Sequence, residues 1–131
     1  MNDNRKGYIH GELTGKIIGC AIEVHKQLGN GFQEVVYQRA LAIEFRNNSL
    51  DFSREHEMEI IYKGEPVGTR RVDFLVEGKI LIELKAIIFL ENVHLAQAIN
   101  YLEAFNLEIG LLINFGSTSL QFKRLMRPKR S

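Results

Sequence analysis

The spacing of apolar residues divides the first part of the chain into two predicted helices. In the first segment they recur three or four positions apart, at Leu13, Ile17, Cys20, Ala21, Val24 and Leu28. This pattern predicts a helix over about 12–28, which the "GNG" at 29–31 ends. A second helix follows, and we expect Asn30 or Gly31 to cap its start. The residues expected on its apolar face are Phe32, Val35, Val36, Ala40 and Ile43.

Alternating apolar positions then predict strands. The first runs from Phe52 through Tyr62, and "KGEP" turns the chain into a β-rich segment over 67–76. "KILIELKAII" is a third strand, "NVHLAQAINYLEAFN" has helical spacing, "EIGLLINFG" is a buried strand whose glycines permit close packing, and "LQFKRLM" is an edge strand. The order ααβββαββ predicts an α/β domain, a mixed sheet flanked by helices. We expect residues 1–131 to form one domain, with its core at about 12–126 and a basic tail at 123–131.

Composition excludes several classes of protein. A formal charge of +1 over 131 residues is not that of a polycation that coats nucleic acid by charge alone, so any such contact must be local. The single cysteine, Cys20, excludes an internal disulfide and suggests a small buried side chain. The start of the sequence lacks an apolar signal core, and "AIIFL" is too short to span a bilayer. We expect a soluble, cytoplasmic protein without a membrane partner.

The segment "RRVDFLVEGKILIELKA", residues 70–86, places charges inside a predicted apolar hairpin. Because side chains alternate along a strand, Glu83 and Lys85 share one face. A two-residue turn would turn Asp73 away from Glu83, whereas a three-residue turn or a bulge would place the two carboxylates opposite each other. We expect the second arrangement, since charges taken out of water need partners.

Two adjacent carboxylates repel, and a divalent cation is the natural way to keep both ionised at neutral pH. Oxygen ligands favour magnesium or manganese. Zinc is disfavoured, because there is one cysteine and the histidines at 10, 25, 56 and 94 lack a zinc-ligand spacing. A lysine beside such a cation could hold a phosphate oxygen or orient the attacking water. The residues therefore point to phosphodiester chemistry.

These residues resemble the core of the PD-(D/E)XK nuclease superfamily, with Asp73 followed by "ELK" at 83–85 after two helices. "GFQEVVY" at 31–37 is similar to the signature of the GxxExxY family within it, and "HLAQAINYL" and "GLLINFG" resemble that family's later segments. The spacing of Gln97 and Tyr101 is similar to the QxxxY motif of RecB-type nuclease domains. Val72 departs from the pattern, because it stands where the superfamily name has proline.

The resemblance implies a restriction-endonuclease-like fold, a Mg²⁺ or Mn²⁺ cofactor and a set of roles. Asp73 and Glu83 become metal ligands, the carbonyl of Leu84 adds an oxygen, and Lys85 becomes the catalytic lysine. Glu34 reaches the site from its helix, touching the metal through water or shaping the surroundings. Gln97 and Tyr101 would orient Lys85 or contact the nucleic-acid backbone, and His94 is a weaker candidate for a phosphate contact.

Several of these residues also have plainer explanations. Glu34 could supply charge at a helix N-terminus, Tyr37 fits the core slightly better than a site, and Gln97 with Tyr101 could be an ordinary helix-face pair. The C-terminal cations are either a solvated tail or contacts to the phosphate backbone. They are Lys123, Arg124, Arg127, Lys129 and Arg130.

The function expected from the sequence is metal-dependent hydrolysis of nucleic-acid phosphodiesters, with DNA favoured over RNA. A nucleic-acid-binding or scaffold module with an idle site is the alternative, because a fold alone implies no activity. A third possibility is a nuclease subunit that cleaves only with a protein partner or as a homodimer.

Overall fold

The computed structural model describes residues 9–128, which form three helices and five strands. In chain order these are α1 (Gly11–Leu28), α2 (Glu34–Asn47), β1 (Phe52–Tyr62), β2 (Glu65–Val76), β3 (Ile80–Lys85), α3 (Asn92–Ala104), β4 (Ile109–Asn114) and β5 (Gln121–Met126). None of the helices in this range is long and apolar enough to cross a membrane. The predicted order ααβββαββ is confirmed.

The strands form one mixed sheet in the order β1-β2-β3-β4-β5. Three of the neighbouring pairs are antiparallel, and β3 pairs with β4 in parallel. A parallel pair needs a crossover connection, and α3 supplies it between these two strands. β5 lies at an edge, as predicted. β3 is the central strand, so its carboxyl end lies in the interior of the sheet, between β2 and β4.

The sheet is covered by helices on both faces, which gives two apolar clusters. The first joins α1 and α2 to the sheet through Ile17, Val24, Tyr37, Leu41, Phe45, Phe74, Ile82, Leu84, Leu111, Ile113 and Phe115, among others. The second lies under α3 and contains Val72, Leu81, Ala98, Leu102, Leu112 and Leu125. A sheet covered on both faces has central strands without polar alternation, and all six residues of β4 are buried.

Two glycines of the "EIGLLINFG" segment permit close packing, as expected. A Cβ at Gly110 would lie 3.1 Å from Leu102 Cδ2 and 3.2 Å from the carbonyl oxygen of Leu81, so α3 rests directly on the backbone of β4. At Gly116 a Cβ would overlap the backbone of Ile87. The segment that follows β3 therefore crosses Gly116 in close contact, and no larger residue fits there.

Cys20 lies in the buried face of α1, as expected from its apolar surroundings. It is 4% exposed and belongs to the first cluster. Burial raises the pKa of its thiol, and the charge of Glu44 adds to that rise. A buried thiol of high pKa is a packing group rather than a nucleophile.

The face predicted for α2 is wrong except at Ala40, which packs against the first cluster. Phe32 and Ile43 are about half exposed, while the buried face consists of Tyr37, Gln38, Leu41, Ala42 and Phe45. Two aromatic contacts set this rotation: Tyr37 stacks on Phe115 with centroids 4.6 Å apart, and Phe45 meets Phe74 edge to face at 5.0 Å. The predicted cap is also wrong, because the N-cap is Gln33 rather than Asn30 or Gly31.

Candidate active site

The β2–β3 hairpin has a three-residue turn, and this sets the register of its charges. Val76 pairs with Ile80, so Glu77, Gly78 and Lys79 form the turn. The paired ladder runs to Phe74 and Ile82 and ends there, and the next residues in register are Asp73 and Glu83. The expected arrangement, in which a three-residue turn places the two carboxylates opposite each other on neighbouring strands, is confirmed.

Beyond the last rung, side-chain carboxylates replace the backbone acceptors of the ladder. The amide of Asp73 donates to Oε2 of Glu83 over 3.1 Å, and the amide of Leu84 donates to Oδ2 of Asp73 over 2.8 Å. The two strands thus hold each other through one carboxylate from each side. Main-chain donors therefore fix both acidic groups in the gap between β2 and β3 that begins beyond Phe74 and Ile82, which we call the opening.

A distortion of β2 turns Asp73 toward this opening. Val72 belongs to the cluster under α3, whereas Phe74 belongs to the cluster under α1 and α2, although residues two apart in a regular strand share a face. On β1, Arg54 pairs with Phe74 and His56 with Val72, and the intervening Glu55 has φ 53°. Both strands are therefore irregular where Asp73 lies, as strands often are beside functional sites.

Arg70 neutralises the more buried carboxylate. Its Nη2 donates to Oε1 of Glu83 over 2.6 Å, and Glu83 is only 4% exposed. Its guanidinium lies over the ring of Tyr101, 4.8 Å from the centroid. Burial raises the pKa of Glu83, the charge of Asp73 raises it further, and Arg70 opposes both effects. Arg70 of β2 thus contacts both Glu83 of β3 and Tyr101 of α3.

Gln38 holds the other carboxylate from α2. Its Nε2 donates to Oδ1 of Asp73 over 2.8 Å, and the residue is 5% exposed. Within residues 9–128, its buried Oε1 has no hydrogen-bond partner. A buried amide oxygen without a donor is costly, so this atom is available to a donor or a cation that enters the site.

Glu34 is the first residue of α2 and lies one helical turn before Gln38. Partial burial of its carboxyl raises its pKa; the charge of Lys85 lowers that pKa and the charge of Asp73 raises it. These mutual effects place Glu34 within electrostatic reach of both residues. Lys85, the last residue of β3, is half-buried and pairs with Asn114 of β4.

Tyr37, in the same sequence motif, holds the backbone that precedes Glu34. It is fully buried, its hydroxyl donates to the carbonyl of Gly29 over 2.6 Å, and it accepts from the amide of Phe32 over 3.1 Å. These bonds fix the connection between α1 and α2, so the core interpretation of Tyr37 is confirmed.

The three α3 residues named from the sequence occupy different environments. Tyr101 reaches the site through Arg70. Gln97 is exposed, and its side chain makes no hydrogen bond within the described part of the chain. Nδ1 of His94 accepts from the amide of Glu91 over 2.9 Å, as half of a capping box at the start of α3. The structure thus gives His94 a local helix-capping contact.

The segment after Lys85 is fixed by a buried polar network around Asn114, which is fully buried. Asn114 accepts from the amide of Ile87 and donates to its carbonyl, both over 2.9 Å. Its amide also donates to Ser117 and Gln121, and Oε1 of Gln121 accepts from the amide of Leu90. The chain that leaves the site toward α3 is therefore anchored to the ends of β4 and β5.

The cations near the C-terminus do not form one patch around this site. Lys123 and Arg124 alternate along β5 and so face opposite sides of the sheet, and Arg124 donates to the carbonyl of Ile9. Arg127 donates to Oδ1 of Asn106. It follows Met126, which lies five residues along the sheet from the position that pairs with Lys85, a distance of about 16 Å. Lys129 and Arg130 lie outside the described residues.

The donor chemistry of the opening fits a hard divalent cation. Asp73 and Glu83 offer carboxylate oxygens. The amide of Leu84 donates to Asp73, which places the backbone of Leu84 beside these oxygens. Within residues 9–128, no group of three His, Cys, Asp or Glu side chains converges to hold a metal. Magnesium is commonly held by one or two carboxylates, with water and substrate phosphate completing its shell, so two suffice.

Arg70 and Gln38 are missing from the set of residues named from the sequence. The error in the α2 face hid Gln38, because the true face runs through Tyr37, Leu41 and Phe45 and leaves Gln38 as its one polar member. Its spacing of four from Glu34 is the signal that could have found it. For Arg70, spacing carries no comparable signal, since its contact with Glu83 depends on the distortion of β2.

Comparisons with known proteins agree with this architecture. No curated protein matches the chain. Among solved structures, the one titled "Crystal structure of SSO0001" superimposes with a TM-score of 0.59 at 19% sequence identity, over 92% of this chain. The aligned region spans 61% of that protein's chain. The sequence model of the PD-(D/E)XK nuclease superfamily matches residues 11–125, and the chain belongs to this superfamily.

Proposed function

We propose that this protein is a nuclease that hydrolyses phosphodiester bonds of nucleic acid with Mg²⁺ or Mn²⁺. One observation carries the proposal: Asp73 and Glu83 lie opposite each other where the β2–β3 ladder opens, and Lys85 follows on the same strand. Charged groups held in an opening between otherwise apolar strands are costly to stability, so a catalytic role accounts for them better than packing does.

Asp73 and Glu83 would hold the cation through carboxylate oxygens, with the Leu84 carbonyl as a main-chain ligand. When bound, the cation supplies Lewis-acid stabilisation of the negative charge that develops on the phosphate. The amide donors from Asp73 and Leu84 keep the two carboxylates in place whether or not they carry a ligand. The chain therefore contributes a site whose negative groups are already positioned.

Lys85 would bind a phosphate oxygen or orient the attacking water, since it lies two residues beyond Glu83 on β3 and shares that strand face. Glu34, whose pKa is lowered by the charge of Lys85, would act on the metal through water or on the position of Lys85. Tyr101 contributes by supporting Arg70, and Gln97, exposed one turn earlier on α3, would contact the nucleic-acid backbone.

We further assign the chain to the GxxExxY group of the superfamily, through Gly31, Glu34 and Tyr37. In this assignment Tyr37 builds the loop that positions Glu34. We propose DNA as the preferred substrate over RNA. Residues 1–131 would act as one catalytic domain.

Cleavage assays on labelled duplex DNA, single-stranded DNA and RNA test this function. Each substrate is incubated with Mg²⁺, with Mn²⁺ and with a chelator. Wild type should cleave at least one substrate only with a metal present, and Asp73→Asn should lose roughly two to three orders of magnitude in rate. Asp51→Asn, at an exposed position before β1, is the matched control and should retain the activity. Equal cleavage by wild type and Asp73→Asn would show that the activity comes from a contaminant or another site.

A catalytically idle nucleic-acid-binding or scaffold module is the second candidate, and the Arg70–Glu83 ion pair favours it. A cation already occupies one oxygen of the carboxylate that would hold the metal. Binding of DNA without turnover in any metal, by a protein that also fails to bind Mn²⁺, would select this candidate. Cleavage that appears only with an added protein would instead identify a partner-dependent subunit.

A further inference from the structure

Arg70 is the movable member of the charge cluster around Glu83. Oε2 of Glu83 accepts from the amide of Asp73, a main-chain donor fixed in the backbone of β2. Oε1 accepts from the guanidinium of Arg70, a side chain attached to β2 that reaches across to β3. Any second cation that approaches Glu83 therefore meets one fixed donor and one that can swing away.

A divalent cation and a guanidinium compete for the same carboxylate oxygen. A cation at Oε1 would stand within a few ångströms of Nη2, which lies 2.6 Å from that oxygen, and like charges this close repel strongly in a half-buried site. Tyr101 offers Arg70 a second resting place, because its ring already supports the guanidinium at 4.8 Å. The Nε of Arg70 is buried and has no hydrogen-bond partner within residues 9–128, so the side chain is only partly satisfied where it lies.

We propose that Arg70 is the resident counter-ion of the metal-free site and that a divalent cation binds by displacing its guanidinium from Glu83. The inference rests on the proposed function, since it takes Glu83 as a ligand of the cation. Arg70 then sets the affinity of the site for metal: it holds the carboxylates charged and ordered before the cation arrives, and it lowers the affinity by the cost of its own displacement.

Calorimetric titration with MnCl₂ alone, without nucleic acid, measures this competition. Arg70→Gln should bind Mn²⁺ about tenfold more tightly than wild type, or tighter still, which is the scale on which one nearby charge changes an ionisation equilibrium. Arg70→Lys keeps the charge without the planar fork and should fall between the two. The titration is run at about pH 8, because loss of Arg70 favours protonation of Glu83, which would oppose metal binding at lower pH.

Arg71→Gln is the matched control. Arg71 is the next residue of β2, is exposed and pairs loosely with Glu57 at 3.7 Å. Its removal changes the net charge by the same amount as Arg70→Gln, and it should leave Mn²⁺ affinity within about twofold of wild type, because exposed charges are screened. Thermal melts of each variant report whether the fold is retained.

A second measurement needs no variant. In ¹⁵N-labelled wild type, the Nε–Hε signal of Arg70, assigned through its backbone connectivity, should shift on titration with diamagnetic Mg²⁺ and saturate with the calorimetric affinity. An unshifted Arg70 signal in a protein that binds Mg²⁺, or a folded Arg70→Gln variant that binds Mn²⁺ no more tightly than wild type, would overturn the competition while leaving the nuclease proposal intact. Wild type that binds neither metal would overturn both.

Discussion

The side-chain amide of Gln38 donates to Oδ1 of Asp73 over 2.8 Å, and this bond joins α2 to the opened edge of the β2–β3 ladder. Because Oδ2 of Asp73 is held by the Leu84 amide, Gln38 supplies the remaining restraint on the carboxylate. Groups that orient a metal ligand in this way commonly affect metal affinity as strongly as they affect the fold.

We expect Gln38→Leu to weaken the site without unfolding the protein. The lost bond to Asp73 is offset by removal of an unpaired buried amide oxygen, so the free energy of unfolding should change by less than about 1 kcal/mol. Mn²⁺ affinity and metal-dependent cleavage should fall about tenfold to a hundredfold. Gln27→Leu, on the exposed face of α1, is the control. Unchanged Mn²⁺ affinity in folded Gln38→Leu would mean that Asp73 needs no support from α2.

Lys85→Met tests the lysine that ends β3. The substitution keeps most of the apolar stem and removes the ammonium, so cleavage should fall by roughly two to three orders of magnitude. Mn²⁺ affinity should survive, because the carboxylates are untouched, and the melting temperature should be at least that of wild type, since a half-buried charge is gone. Lys79→Met, in the exposed β2–β3 turn, is the matched control. Undiminished magnesium-dependent cleavage by Lys85→Met would remove Lys85 from the mechanism.

Local patterns were enough to predict the element order, whereas the carboxylate pair needed one further physical argument. Hydrophobic periodicity marks each helix and strand. Strand alternation leaves two turn lengths open for the β2–β3 hairpin, and the turn that places Asp73 opposite Glu83 is favoured because buried charges need partners. Both signals act over a few residues. They do not depend on how the layers of the fold pack against each other.

The contacts that single-sequence patterns missed are set by tertiary packing. Tyr37 and Phe45 rotate α2 so that Gln38 faces the sheet, against the face that Phe32 and Ile43 would form. Arg70 reaches Glu83 because β2 is distorted at Asp73, which a regular strand pattern cannot anticipate. Contacts of this kind depend on side-chain volumes across the core, which the spacing of apolar residues does not encode.

The basic C-terminus should contribute affinity but no chemistry. Arg127 is bonded to Asn106 at the end of the sheet away from Lys85, which leaves Lys129 and Arg130 as the cations of the terminal residues. Removal of residues 129–131 should reduce the magnitude of the slope of log binding constant against log salt concentration for duplex DNA by up to about 1.8, because two phosphate contacts are lost. Cleavage at saturating substrate should be unchanged. An unaltered salt slope would mean that these cations are only solvated.

The raised pKa of Glu83 predicts how the metal-free protein responds to pH. Burial, aided by the charge of Asp73, raises this pKa above its usual value of 4.5. Between that value and the folded-state pKa, the folded protein retains a proton that the unfolded chain has lost. Stability from this group is therefore present at low pH and decreases as the pH rises through that window, beyond which its contribution is constant.

Chemical denaturation of wild type and Glu83→Gln, both in excess chelator, isolates this effect from the other titrating groups. Because glutamine does not ionise, the free energy of unfolding of Glu83→Gln minus that of wild type should increase as the pH rises from about 4.5 toward neutrality. Glu57→Gln, in the exposed pair with Arg71, controls for the removal of one negative charge. A difference that decreases over the same range would show that Arg70 more than offsets the burial of Glu83, so that the folded-state pKa is depressed.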